Sequence, residues 1–429
     1  MIVMIVGASG FIGGRLAQAF AAAGHEVVCA GRARPGPDRA RLPAGCARAV
    51  TIDYTAPMAT DWTPLLAGVD VLVNAVGILR ESGHQTFDHL HVLGPRALFT
   101  AAALASVRRV IQVSALGAEA GAVARYHASK HEADRFLMQL PLDWAIVQPS
   151  LVYGAGGTSA TLFDSLASLP LVPLPGRGEQ RVQPVHIDDL VDAVLRLAES
   201  PAALRCVLPV VGPNELTLRE FLAELRGTLG LGRARFVPVP RAWVSLAARA
   251  GESIPSLLLD RETFGMLERG NTGPPGPLQR LLGRPPTPVA GFVSPARRGS
   301  RRTAASLRWL APLLRLAVAS MWLLAGIVAL GPYPVQDSLA LLRSIGVSAE
   351  LAPLLLFGSA ALDILLGVLT LLPRRPRILW PAQIALVLVY TVIISIALPG
   401  LWLEPFGPVA KNIPILALLI LLHQLEKRR

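Results

Sequence analysis

The sequence predicts an α/β protein: a doubly wound parallel sheet with a small second lobe, followed by an all-α bundle of four transmembrane helices. Three observations carry this. The chain opens with a short, wholly apolar run, Ile2 to Val6, the pattern of a strand buried on both faces of a parallel sheet. That run enters a turn with glycines at 7, 10 and 13, and a helical stretch follows in which Leu16 and Phe20 fall four apart. In the last third of the 429 residues, apolar runs reach the ~20 residues that cross a hydrocarbon core.

The opening turn, Gly7-Ala8-Ser9-Gly10-Phe11-Ile12-Gly13, is the phosphate-binding turn of a Rossmann-type dinucleotide site. Gly7 permits the tight turn, Gly10 lets the backbone approach a pyrophosphate, and Gly13 lets the helix pack close to the strand. The helix start then offers free N–H groups and a positive dipole end to the phosphates. The next strand, Glu26 to Gly31, ends in Arg32, with Arg34 two residues on. An acid there would bind the ribose hydroxyl of NAD(H), whereas arginine suits a 2′-phosphate, so NADP(H) is favoured and NAD(H) is the alternative. Asp53 closes the run 49–52, placed either to read the adenine amino group or to cap a turn.

A further buried strand, Arg109 to Val113, delivers Ser114 at its end, and Tyr126 and Lys130 follow at i and i+4 on one helix face. The ammonium can lower the phenol's pKa and hold the nicotinamide ribose. The phenol can exchange a proton with a carbonyl as hydride moves, and Ser114 can polarise that carbonyl.

With these residues in place, the first 240 or so positions resemble the short-chain dehydrogenase/reductase superfamily. They are most similar to its extended and atypical branches, which hold epimerase-like proteins and the NADPH-binding accessory subunit of respiratory complex I. Matching segments are Gly7–Gly13, Asn74-Ala75-Val76-Gly77, Ser114 with Tyr126 and Lys130, Gln148 to Gly154, Pro184 to Leu190, and Val211 to Glu220. The resemblance implies that Ser9, Phe11, Ile12 and Asn74 to Gly77 line the cofactor, with Pro149 and Ser150 flanking the nicotinamide. It places His91 where extended members carry an asparagine that steadies the proton relay. By the same analogy Arg181, Gln183 and His186 are candidate substrate contacts, alongside His91. The complex I relative resembles a reductase yet acts structurally, so fold alone does not establish catalysis.

The organisation read from the sequence is a nucleotide-binding domain over 1–265, with its substrate lobe mainly 151–265. A linker rich in Pro, Gly and Arg follows over 266–306, then a membrane domain over 307–429. Expected spans are 309–331, 351–372, 378–398 and 406–423. Arginines at 297, 298, 301, 302 and 308 precede the first span, and Arg374, Arg375 and Arg377 divide the second from the third. Lys427 to Arg429 follow the last, which puts the N-terminal domain and the C-terminus in the cytoplasm of a multi-pass inner-membrane protein. The membrane half resembles the DoxX-like family at Asp363-Ile364-Leu365-Leu366-Gly367, at Trp402 to Pro408 and at Lys411 to Pro414. That resemblance implies contact with a lipophilic molecule such as a quinone. Asp363, in mid-span, is expected to face the bundle interior, and Arg315 to snorkel to the headgroups.

The lipid bilayer is thus an expected partner, and respiratory-chain subunits are a further one. Much of the net charge of +12 flanks the spans and no nucleic-acid-binding motif accompanies it, so no nucleic-acid partner is expected. Cys29, Cys46 and Cys206 show no paired spacing and are expected to be free thiols with no metal site. No cleavable signal peptide is expected, because the first apolar run is short and enters the glycine turn directly. The favoured function is a membrane-anchored NAD(P)-dependent oxidoreductase. The alternatives are a non-catalytic NADP(H)-binding accessory or assembly subunit, and a nucleotide-sugar epimerase or dehydratase.

Overall fold

The computed structural model describes residues 1–32, 44–56, 60–251, 260–405 and 407–427. Arg34, Phe406, Arg428 and Arg429, which entered the reading above, lie outside them. The chain divides into two compact units, Met1–Ala305 and Ser306–Arg429.

The first unit begins β1 (Ile2–Val6), α1 (Phe11–Ala22), β2 (Glu26–Gly31), β3 (Arg48–Thr51), α2 (Thr63–Leu66), β4 (Val71–Asn74), α3 (Gly94–Leu104), β5 (Arg109–Val113), α4 (Arg125–Gln139) and β6 (Asp143–Pro149). The lobe elements follow as β7 (Val152–Tyr153), α5 (Thr158–Ser168), β8 (Val172–Pro175), β9 (Arg181–Val182) and β10 (Val185–His186). After them come α6 (Ile187–Glu199), β11 (Arg205–Val210), β12 (Leu216–Thr217), α7 (Leu218–Thr228), β13 (Phe236–Val239), α8 (Arg241–Gly251), α9 (Arg261–Arg269) and α10 (Gly276–Leu282).

Seven strands form one parallel sheet in the order β11-β6-β5-β4-β1-β2-β3. The order reverses between β1 and β4, and ligands of such sheets bind at this crevice, outside the carboxyl ends of the strands. Both faces are covered, which explains why the central strands read as continuous apolar runs. Leu16, Phe20, Leu190 and Val194 pack on one face, and Leu98, Phe99, Leu137 and Trp144 on the other.

Arg109 closes the bottom of this sheet. Its side chain is fully buried, pairs with Asp143 at 2.6 Å, and donates to the carbonyls of Leu197, Ser200 and Ala202. Arg109→Ala would strand that carboxylate and those carbonyls. We expect it to cost about 3–5 kcal/mol of stability, read as a lowered denaturation midpoint with an unchanged slope.

Two expectations are corrected in this unit. Cys29 and Cys46 form a disulfide, with Cα atoms 5.7 Å apart, and only Cys206 is free among the cysteines. Sheet pairing of β2 with β3 brings the two together, so linear spacing carried no sign of it. The linker reading also fails over much of 266–306. Leu278 and Leu282 of α10 join the core of the sheet, and Val289, Phe292 and Val293 join that of the lobe. Asp189, buried on α6, holds the stretch through Arg284 at 2.7 Å and the Thr287 N–H at 2.7 Å.

The second unit continues α11 (Pro295–Leu330) and adds α12 (Val335–Ser344), α13 (Leu351–Leu371), α14 (Leu379–Ala397) and α15 (Asn412–Lys427). Among the described residues three helices, α11, α13 and α14, are long and apolar enough to cross a membrane. The expected fourth span is shortened. A turn at Gly407 to Lys411 delays α15 until Asn412, leaving 16 residues, or about 24 Å against a hydrocarbon core of ~30 Å.

Small residues let the helices approach: a Cβ at Gly326 would meet the Ala360 carbonyl at 2.6 Å, and one at Gly367 the Leu323 side chain at 2.7 Å. A buried chain of hydrogen bonds links three helices, from Trp322 Nε1 to Gln383 and from Gln383 Nε2 to Thr370. Arg315 pairs with Glu426 at 2.9 Å, which also takes Arg375 at 3.0 Å and Trp380 Nε1 at 2.7 Å. The Oδ1 of Asp363 is enclosed and has no hydrogen-bond partner among the described residues.

Candidate nucleotide site

At the switch point the three glycines do different work. Gly7 has a φ of +87°, a backbone conformation that L side chains rarely adopt. A Cβ on Gly13 would lie 2.2 Å from the Gly7 carbonyl oxygen, so only glycine lets α1 sit this close to the turn. Gly10 is the N-cap of α1 with no side-chain cap, and no acid stands in the first turn. The helix therefore presents bare N–H groups, as an anionic phosphate requires. The cradle fits a dinucleotide's pyrophosphate.

Around it, Phe11 lies against the Gly154–Gly157 turn, beside Ile12, and Ser9 Oγ is 3.7 Å from where a Gly31 Cβ would stand. Arg32 is exposed just beyond Gly31. Asp53 Oδ1 accepts from Thr55 N–H at 2.9 Å and Thr55 Oγ1 at 2.7 Å. These bonds, with the nearby Arg32 charge, hold its carboxyl below the usual range.

At the end of β4 the Asn74 side chain is fully buried, donating to Gln112 Oε1 at 2.8 Å. It forms part of the floor, while the backbone from Ala75 to Gly77 rims the crevice. Lys130 comes up beneath Gly77, its Nζ donating to the Val76 and Val113 carbonyls at 2.9 and 3.1 Å. Two of its three N–H donors are thereby used. Burial pushes this ammonium down to about 8.

Tyr126 is half-buried and lies edge-on to Phe87 and His91, whose rings stack on each other. Burial first, and then the Asp134 charge, push its phenol up to about 12. The expected depression by Lys130 is overridden, because an oxyanion here would lose its water and face a carboxylate. Pro149 ends β6, and Ser150 Oγ is spent on the Gln183 carbonyl.

The remaining sequence-derived candidates differ in exposure, from fully buried His91 to exposed Arg181. His91 is fully buried: its Nε2 accepts the Ile78 N–H at 3.0 Å, which leaves the proton on Nδ1 for Ser129 Oγ at 2.9 Å. It stands behind Tyr126 and touches no open surface. Arg181 sits on the lobe edge, 3.7 Å from Glu215, and Gln183 is buried, bonded to Gly212 and Gly273. His186 caps α6 by accepting the Asp188 N–H.

Two residues were missed. Asp134, buried one helical turn beyond Lys130, accepts the Ser114 hydroxyl at 2.5 Å. Its i+4 position after Lys130 was the available signal. Glu262 of α9 accepts the Tyr126 N–H at 2.7 Å, capping α4 from 136 residues away, which no local pattern encodes.

The fold and the cradle define an NAD(P)-binding domain of the epimerase and short-chain dehydrogenase/reductase type, followed by a DoxX-like domain. Family comparison agrees: residues 3–207 match the NAD dependent epimerase/dehydratase family, and residues 319–420 the DoxX-like family. A ceramide reductase of Caulobacter vibrioides is 26% identical over 267 residues, 62% of this chain and 82% of that protein. The Arabidopsis thaliana NADH dehydrogenase [ubiquinone] 1 alpha subcomplex subunit 9 is 23% identical over 244 residues, 56% of this chain; the match spans 60% of that subunit's length. Among solved structures, the human epimerase family protein SDR39U1 with NADPH superposes with a TM-score of 0.53 at 21% identity, covering 68% of this chain and 97% of that one. A Bacillus cereus UDP-glucuronic acid 4-epimerase with NAD gives 0.51 at 17% identity, covering 72% of this chain and 100% of that one. These neighbours share the fold, and they bind NAD or NADPH.

Proposed function

We propose that this protein is a membrane-anchored NADP(H)-dependent reductase or dehydrogenase acting on a carbonyl or hydroxyl of a lipophilic molecule. The single observation that carries the reading is that α4 brings Lys130 Nζ onto the Val76 and Val113 carbonyls, at the carboxyl ends of β4 and β5, with Ser114 next in the chain and Tyr126 one turn earlier on the same helix. A bound nicotinamide would supply or accept the hydride. The cradle residues Gly7 to Gly13 would hold the pyrophosphate, Asp53 would read the adenine, and Arg32 would favour the 2′-phosphate. Lys130 would give its remaining N–H to the ribose. Ala75 to Gly77, Pro149 and Ser150 would bound the nicotinamide end, with Asn74 supporting it from below.

Tyr126, held protonated through the neutral range, is suited to donate a proton to a carbonyl oxygen as it gains charge, the reductive direction. His91 and Ser129 fix the start of α4, since Ser129 Oγ donates to the Tyr126 carbonyl at 2.9 Å. The ceramide reductase relative supports a lipid-like substrate, and bilayer-length helices give a reason for tethering. A quinone is the other acceptor to assay, and Asp363 the polar group in the membrane for such a molecule to meet. The charge pattern favours a cytoplasmic N-terminal unit in the inner membrane. The Cys29–Cys46 bond runs against a reducing compartment, so protease accessibility of the N-terminal unit in oriented vesicles decides the side.

Tyr126→Phe is the direct test. We expect it to lower turnover about 10²–10⁴-fold with NADPH affinity retained. A second reading, a non-catalytic subunit of a respiratory complex, is favoured by the complex I relative and by the commitment of the Ser114 hydroxyl to Asp134. Under that reading Tyr126→Phe leaves function in cells intact, and the protein co-purifies with respiratory partners.

A further inference from the structure

Helix α8 turns an apolar face outward. Val244 and Ala248 are buried against Phe264, as expected for a helix lying on its domain. On a 3.6-residue repeat, Ala242, Leu246, Trp243 and Ala247 fall together on the opposite arc. All four are exposed, Trp243 by 66% and Leu246 by 56%. Arg249 borders that arc, and exposed Arg233 and Arg235 precede the helix. Residues 232–251 contain four arginines and no carboxylate.

We infer that α8 is an interfacial helix, seated with Trp243 and Leu246 among the lipid headgroups of the bilayer in which the chain is anchored. The chemistry selects lipid over other occupants. An apolar arc with tryptophan near its middle and arginine at its border suits the boundary between acyl chains and anionic headgroups. Arg241 pairs with Glu268 of α9 at 3.2 Å, and the exposed Arg233, Arg235 and Arg249 supply the positive charge that complements an anionic leaflet. Three bilayer-length helices in the same chain hold that leaflet at high effective concentration.

The position bears on substrate entry. α8 packs on α9 through Phe264, and Glu262 of α9 holds the backbone N–H of Tyr126 at 2.7 Å. A leaflet-resident amphiphile would reach the phenol past these two helices. This consequence rests on the proposed reductase reading; the seating of α8 does not.

The test uses the full-length chain in nanodiscs of phosphatidylcholine with phosphatidylglycerol. A nitroxide is placed by Leu246→Cys in a Cys206→Ser background, with Leu104→Cys, on exposed α3, as the aqueous reference. A label at 246 should collide with oxygen in preference to a water-soluble nickel chelate, by a ratio several-fold above that at 104. The ratio should fall in discs of phosphatidylcholine alone. Independently, brominated lipid should quench less of the total emission once Trp243→Phe removes that indole. Nickel accessibility equal to that at 104 overturns the proposal, as does protection from both reagents, the signature of a second protein copy. Neither readout needs turnover, so an inactive protein with a lipid-seated α8 counts only against the reductase reading.

Discussion

Gly13→Val is expected to abolish nucleotide binding: NADPH affinity should fall at least about 100-fold, equivalent to about 2.8 kcal/mol. The cause is steric and local. The added Cβ would stand 2.2 Å from the Gly7 carbonyl oxygen and 2.7 Å from its carbon, both backbone atoms with no rotamer to move. Relief requires α1 to lift from β1, which carries the N–H groups of its first turn away from the crevice. Overpacking of this kind costs about 1–3 kcal/mol of stability as well. Gly227→Ala is the matched control, because nothing lies within 4 Å of a Cβ there. Titration of the detergent-solubilised protein with NADPH, followed by nicotinamide fluorescence, checks both. Wild-type affinity in the valine variant would remove the cradle from the account of this protein.

What the sequence made legible has a common cause. The buried strands, the glycine turn and the three long apolar helices are each specified by residues adjacent in the chain. Ile2–Val6 is apolar throughout because sheet neighbours lie on both sides and helices on both faces. What stayed hidden depends on partners distant in sequence. The Cys29–Cys46 bond follows from β2 pairing with β3, and the burial of Leu278 and Phe292 from cores built by residues far earlier. The proline- and glycine-rich composition of that stretch forbids long helices, yet it does not forbid packing. Composition alone overextended the last span, because the turn before Asn412 consumes residues that hydropathy counts as apolar. At the site, Tyr126 and Lys130 were visible as a helix-face pair. The full burial of His91 and the pairing of Arg181 with Glu215 were not legible, because neither burial nor ion pairing is written in spacing.

Asp134→Asn is expected to remove a pH dependence from both stability and turnover. The groups facing Asp134 are Lys130 on its own helix, Gln112 on β5, Ser114 just beyond that strand, and Gln148 on β6. Burial pushes its carboxyl up to about 6, against the opposing pull of Ser114 and Lys130, whereas an unfolded chain titrates near 4. Between those values the folded protein binds the proton more tightly than the unfolded one. The stabilisation from this group is therefore fully present below about 4 and is lost as pH rises through about 6. Lowering the pH from 7.5 to 5 should raise the melting temperature of the wild type relative to the asparagine variant.

The catalytic consequence follows from the same proton. While Asp134 is ionised, Ser114 donates its hydroxyl hydrogen to it and has none for a substrate oxygen. Once Asp134 is protonated, its own hydrogen can sit between the two oxygens, and the Ser114 hydrogen is released toward the crevice. For a group titrating at about 6, the protonated fraction rises roughly 25-fold between pH 7.5 and 5.5, and carbonyl reduction in the wild type should follow it. Asparagine at 134 cannot titrate, so its rate should be flat over that range while NADPH affinity stays unchanged. A variant whose rate still climbs as the wild type's does would place the titrating group elsewhere, and Asp134 would be left with only a packing role beneath Ser114.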